Sequence, residues 1–418
     1  MTAPVTAEFT AFDRSVWRSV GDPLQQGAWE GPLAGLTVAV KDVFAIKGYR
    51  IGAGNPEYLR SARAESATAP AVADLLRAGA SVRGIARTDE FAYSLAGDNP
   101  HYGTPPNGAV PGALPGGSSS GAASAVATGQ AEIGLGTDTA GSIRVPASYQ
   151  GLWGLRTTHG LVPRQGMLPL AQSFDAIGWL TRDGQTLQRV ADWCLSYDGS
   201  DSTESVYGES AEDLPWRFVL PHEVAAAADP ATRTAFDAFV AHLAASEDPP
   251  GLRGVSVGRP EAMADPFRVV QAAEAWRNNE GWLREHPGAV GDAVAGRFRA
   301  AAAISAPEEQ RARAAVTEYA AALGELVRDA VLMLPTVPGP APARDAADID
   351  RIRAATVLMT APASLAGLPA LSVPLLRVPA ADGRPAPVGV CLVSRPGTDI
   401  ALVRLGRRLQ RAASGGRS

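Results

Sequence analysis

Three early segments follow one another in an order that few architectures accept. GLTVAVKDVF, from Gly35, carries β-branched residues at Thr37, Val38 and Val40 and reads as a strand ending at Lys41-Asp42. Residues 68–79, TAPAVADLLRAG, have the apolar spacing of a helix, with Pro70 near its start and Gly79 at its stop, and ASVRGIAR follows as a short strand. This is β-α-β grammar. Residues 93–117 are rich in Gly, Pro and Asn and must be mostly loop. The alternation then resumes with a small-residue helix to Gly129, a strand around AEIGLG and the loop TDTAGSIRVP. The fold class that follows is α/β, a large mixed β-sheet covered by helices on both faces.

Between about 200 and 330 the texture changes to helical segments such as ATRTAFDAFVAHLAA and APEEQRARAAVTEYAAALGELVRDA, the second amphipathic with a solvated charged face. VLMLPTVPGPAP then reads as a strand entering a Pro-rich turn, and LPALSVPLL and PVGVCLVS as further strands. With no internal repeat and no low-complexity linker, the 418 residues are expected to form a single domain. A helical middle portion at 200–330 separates the segment 31–185 from a C-terminal part, 331–418, of the same sheet.

Several function classes drop out. A formal charge of −5 provides no basic surface for a phosphate backbone, so no nucleic acid is expected as partner. MTAPVTAEFTAFDRSVW has no cationic segment leading into an apolar run, and no apolar stretch reaches membrane length, so no membrane is expected and the location expected is cytoplasmic. Cys194 and Cys391 lack metal-ligand spacing and read as apolar filler. The five histidines are scattered, with no H-E-x-x-H, and neither a P-loop nor a proper G-x-G-x-x-G is present. No metal and no cofactor are expected.

The basic residues are thirty-six arginines and only two lysines, Lys41 and Lys47. A chain so biased has little reason to keep a lysine where arginine would serve. A buried lysine can become a neutral base and an arginine cannot. Ser142 closes the tight loop Thr137-Asp138-Thr139-Ala140-Gly141-Ser142, whose small residues leave backbone amides free to converge on a developing oxyanion. It reads as a nucleophile, Lys41 as its base, and a serine of PGGSSSGAASAVATG as a bridge passing the proton between them. Gly117-Ser118-Ser119-Ser120-Gly121 also fits the G-x-S-x-G elbow, which would select Ser119, but the preceding GALPG makes a poor strand.

PGGSSSGAASAVATG followed by LGTDTAGSIRVPASYQGLWGLRTTHG resembles the core of the amidase signature family, serine hydrolases that cleave C–N bonds through a Ser–cis-Ser–Lys triad. The likeness extends through VAVKD, SFDAIGWLTRD, LMLPTVPGPAP and SLAGLPALSVPL, and makes 31–185 the catalytic core. The resemblance implies Ser142 as nucleophile, Ser118 as the cis-serine and Lys41 as general base. It further implies an oxyanion hole from the amides of Thr139, Ala140, Gly141 and Ser142, with Asp138 and Arg144 bracing the loop and Ser119 as a local helper. Two departures stand out: Ala140-Gly141-Ser142 replaces the usual Gly-Gly-Ser, and Ser-Ser-Ser-Gly replaces Ser-Ser-Gly-Gly. The first puts a β-carbon on the pocket floor.

The chain looks like the short stand-alone amidases, including plant enzymes acting on indole-3-acetamide. Ala92 and Tyr93, with Phe91, are expected at the acyl pocket, and Trp276 and Trp282 either at its entrance or in packing. The expected partner is a small-molecule amide substrate, with room for a homodimer. Two alternatives stay open: an amidase-like subunit of a tRNA-dependent amidotransferase, and an inactive scaffold of the same fold.

Overall fold

The computed structural model describes residues 13–196 and 213–414, and within them one mixed sheet runs through the whole chain. The first twelve residues and the boundary drawn at 200 lie outside the described residues. The strands are β1 Trp17–Gln25, β2 Thr37–Lys41, β3 Ser81–Ala86, β4 Ile133–Asp138, β5 Trp153–Arg156, β6 Ala176–Thr181, β7 Arg217–Pro221, β8 Gly251–Val255, β9 Val331–Pro335, β10 Ala370–Pro379 and β11 Pro385–Val393. Their order across the sheet is β1-β3-β2-β4-β6-β5-β10-β11-β9-β7-β8.

Parallel pairing follows the β-α-β segments: β2 lies parallel to both β3 and β4, with Lys41 opposite Ala86 and Val40 opposite Leu135. β7 is parallel to β9 and β8. The pairs β4–β6, β6–β5, β5–β10, β10–β11 and β11–β9 are antiparallel. The central strands β2, β4, β5, β6 and β9 are buried almost throughout, as near-continuous apolar runs covered on both faces must be. Helices Ser120–Ala127 and Arg144–Gln150 pack on one another and on the sheet, while Pro70–Arg77, Gly184–Cys194, Pro230–Ala244 and Asp399–Ala413 form a second contacting group.

The helix Ser120–Ala127 begins with a small residue because its first turn is pressed against backbone. A β-carbon at Gly121 would stand 2.6 Å from the Val16 carbonyl oxygen and 2.7 Å from the Arg87 backbone, so only glycine fits. The portion expected to be helical does hold the long helices Pro260–Glu285 and Ala306–Leu326, but it also contributes β7 and β8. β8, GLRGV, is an exposed edge with two glycines and no alternation, and so carries little strand signal. Among the described residues no helix is long and apolar enough to cross a membrane.

Candidate active site

Lys41 is the last residue of β2, at the carboxyl end of the parallel strands, where open α/β sheets gather functional groups. Its side chain is fully buried. The Nζ atom lies 2.7 Å from Ser118 Oγ and 2.7 Å from Thr137 Oγ1. Burial pushes the amine down from 10.5 to about 7, against the pull of Asp89, Asp175 and Asp138, whose negative charges favour the ammonium form. A neutral amine has one lone pair and two protons, so either member of the Lys41–Ser118 contact can hold the shared proton.

Ser118 follows a cis peptide bond from Gly117. Its carbonyl accepts from Thr88 Oγ1 at 2.8 Å and from the Asp89 amide at 3.2 Å, which fixes the segment against the end of β3. Gly117 is required by close approach: an added β-carbon would lie 2.2 Å from Asp89 Oδ2. Ser119, at the N-terminal cap of helix Ser120–Ala127, turns its Oγ to the Thr137 carbonyl at 3.3 Å, and its amide donates to the Ser142 carbonyl at 3.3 Å. The serine segment and the Ser142 loop are thereby joined backbone to backbone.

That loop leaves β4 and enters helix Arg144–Gln150. Asp138 accepts from the amides of Gly141 (2.9 Å) and Ile143 (3.2 Å) and from Arg144 Nε (3.0 Å) and Nη2 (2.9 Å). Arg156 donates to the Asp138 carbonyl and approaches its carboxylate at 3.4 Å. Burial alone would raise the Asp138 pKa, yet the two guanidiniums and the amides hold the carboxyl well below the usual range. Arg144 also donates to the Thr360 carbonyl and Ser364 Oγ, both at 3.0 Å, and Thr360 Oγ1 donates to the Ala140 carbonyl at 2.6 Å. The loop is therefore clamped from its base and from helix Ile349–Leu365.

Of the four amides expected at an oxyanion hole, that of Gly141 is spent on Asp138. Among the described residues no acceptor meets the amides of Ala140 and Ser142, and no group hydrogen-bonds Ser142 Oγ. Ser142 and Ala140 instead line a cavity of about 310 Å³ with Ala92, Tyr93, Leu95, Leu170, Arg268, Gln271 and Arg353 among its walls. Phe91 is not in this wall. It packs edge-on to Tyr58 and Phe298, with centroids 5.4 and 5.9 Å apart, in a cluster that also takes Trp276 and Trp282. The two tryptophans are packing residues.

Sequence reasoning missed Thr137, the second hydroxyl on the lysine, and the buried acids Asp89 and Asp175. Thr137 opens the TDTAGS loop one residue past Gly136, the position level with Lys41 in the β2–β4 register, and its hydroxyl accepts from the lysine at the end of the two strands. Asp89 accepts from Ser120 Oγ (2.9 Å) and the Gly97 amide (3.0 Å); Asp175 accepts from Thr139 Oγ1 (2.6 Å) and the amides of Leu170 and Ala171. Burial raises both acids to about 6.

The Amidase family pattern matches residues 18–403, and the chain belongs to this family, hydrolases of amide C–N bonds. Amidase 1 of Arabidopsis thaliana is 34% identical over 422 residues, covering 95% of this chain and 97% of the relative. A glutamyl-tRNA(Gln) amidotransferase subunit of Natronomonas pharaonis is 31% identical, covering 91% of this chain and 96% of the relative. A solved amidase crystal structure superposes with a TM-score of 0.79 at 28% identity, covering 94% of this chain and 91% of that one.

Proposed function

We propose that the protein hydrolyses a small carboxamide through Ser142, Ser118 and Lys41, by way of an acyl-enzyme. Neutral Lys41 takes the Ser118 proton as Ser118 takes that of Ser142, whose Oγ bonds to the amide carbon. The carbonyl oxygen gains the electron pair and rests on the amides of Ala140 and Ser142, with that of Thr139 beside them. Collapse breaks the C–N bond, and the proton returns from Lys41 through Ser118 to the leaving amine. Water, deprotonated by the same relay, then attacks the Ser142 ester and releases the acid. Asp138 and Arg144 hold the loop; Ser119 ties it to the serine segment.

The observation that carries this reading is the buried amine of Lys41, lowered to about 7 and 2.7 Å from the Ser118 hydroxyl. An inert scaffold has no use for a desolvated amine at that position. The test is covalent labelling of Ser142 by a fluorophosphonate: Lys41→Ala should abolish it and Lys47→Ala should not. Equal effects of the two would remove the base assignment. The free cysteines Cys194 and Cys391 suit a reducing compartment, and we place the protein in the cytoplasm. A second reading, the amidase-like component of a tRNA-dependent amidotransferase, is favoured by the likeness to the Natronomonas protein over nearly its full length. Amide turnover by the purified chain without partners would count against it.

A further inference from the structure

The Ser142 cavity is lined by two arginines against a single carboxylate, the exposed Asp350. Arg268, on helix Pro260–Glu285, and Arg353, on helix Ile349–Leu365, both line it. Arg353 also lines an adjoining cavity of about 590 Å³, together with Arg297, so it stands where the two spaces meet. Arg297 is anchored by donating to the Tyr93 carbonyl at 2.6 Å, and Arg268 pairs with the exposed Asp265 at 3.0 Å.

Arg353 has no such partner. Among the described residues no carboxylate lies within ion-pair distance of it, and its buried Nε has no acceptor. Asp350, a turn earlier on the same helix, is exposed to water. The other carboxylates around the larger cavity are Glu90, spent on Asn55, His101 and the Gly291 amide, and the exposed Asp98 and Asp292. Burial, then repulsion by Arg297 and Arg268, draws the Arg353 guanidinium down to about 10, so it is still charged at neutral pH. A largely buried cation with no ion pair, offset only by the exposed Asp350 and set beside two more cations, is costly unless an anion arrives with the ligand.

We infer that the amide substrate carries a carboxylate, read by Arg353 with support from Arg268, while its carboxamide lies at Ser142. The inference rests on the hydrolase reading above and narrows it: neutral aryl-acetamides would be the poorer substrates. Such a carboxylate would accept two parallel N–H donors from Arg353, the arrangement that gives guanidinium–carboxylate recognition both strength and direction.

The test sets succinamate, glutaramate and adipamate each against the amide in which an isopropyl group replaces the carboxylate, with wild type, Arg353→Met and Arg353→Lys. Wild type is expected to prefer at least one carboxylate amide by about tenfold or more in kcat/KM. In Arg353→Met the preference should fall toward one, through a rise in KM for the carboxylate amides, and Arg353→Lys should recover part of it. Equal or better use of all the isopropyl amides by wild type would overturn the inference and leave the hydrolase reading intact. So would a loss in Arg353→Met that is the same for both members of every pair. If wild type turns over no amide, the hydrolase reading fails separately, and calorimetric binding to Ser142→Ala decides the charge question. Tighter binding of the carboxylate member, lost when Arg353→Met is added, would uphold it; no difference within the pairs would refute it.

Discussion

Replacing Asp89 by Asn tests whether the buried amine is the base. With Lys41 at about 7, half the molecules carry a neutral amine at pH 7, whereas an ordinary amine at 10.5 would supply about one in three thousand. Second-order inactivation by a fluorophosphonate, measured from pH 5 to 10, should therefore climb below pH 7, by less than about tenfold per unit, and level off above it. Asp89 is the foremost of the charges that favour the ammonium form. Removing a charge of this kind from a buried site shifts a neighbouring pKa by about one unit, so in Asp89→Asn the midpoint should move to lower pH by that much. Because Asp89 itself titrates near 6, the wild-type profile should be broader than a single titration, and the variant profile narrower. Asn keeps an acceptor for Ser120 but faces the Gly97 amide with a donor, so melting curves should confirm that the variant is folded at the assay temperature. A wild-type midpoint near 10, or a midpoint that moves to higher pH in Asp89→Asn, would refute the assignment of Lys41.

The pH dependence of stability provides an independent check on the same residue. Its lowered pKa means that the unfolded chain binds the proton more tightly, so between about pH 7 and 10.5 stability rises with pH, by roughly 1.4 kcal/mol per unit. Urea unfolding of wild type relative to Lys41→Met should show this gain, and a constant difference would contradict it. Arg144→Leu leaves the Asp138 carboxylate short of its principal partner in a fully buried site, and should cost about 3–5 kcal/mol along with labelling of Ser142. Thr137→Val removes one of the two hydroxyls on the amine, worth about 1.4 kcal/mol, and should slow labelling about tenfold in a protein that still folds. Gly117→Ala has no space for its methyl beside Asp89 and should yield little folded protein, measured as soluble yield and melting temperature.

How far the site could be read from the chain depended on how each residue is constrained. Lys41 stood out because only one other lysine exists among thirty-eight basic residues, and Ser118 and Ser142 because each follows a glycine with no room for a β-carbon, Gly117 against Asp89 and Gly141 against Thr360. β2, β3 and β4 were legible for a related reason: central parallel strands need continuous apolar runs. The edge strands β1 and β8 escaped because one side of each faces water and neither needs an apolar pattern. The acids that tune the lysine escaped differently. Asp89 lies next to the Gly/Pro/Asn-rich stretch and Asp175 follows Ser-Phe, contexts typical of any solvated turn, and only the fold shows Asp89 held by the Gly97 amide and Ser120 hydroxyl and Asp175 by the amides of Leu170 and Ala171. Arg353 is the extreme case. One arginine among thirty-six carries no local signal, and its meaning comes from a deficit, the missing ion pair, that exists only once helices Pro260–Glu285 and Ile349–Leu365 have come together over the cavity. On the proposed mechanism the bond-breaking residues lie in short segments with tight steric rules, whereas the proposed carboxylate reader lies on a helix far from them in sequence. If Arg353 and Arg268 read the substrate as inferred, single substitutions on helices Pro260–Glu285 and Ile349–Leu365 should change substrate preference without touching Lys41, Ser118 or Ser142.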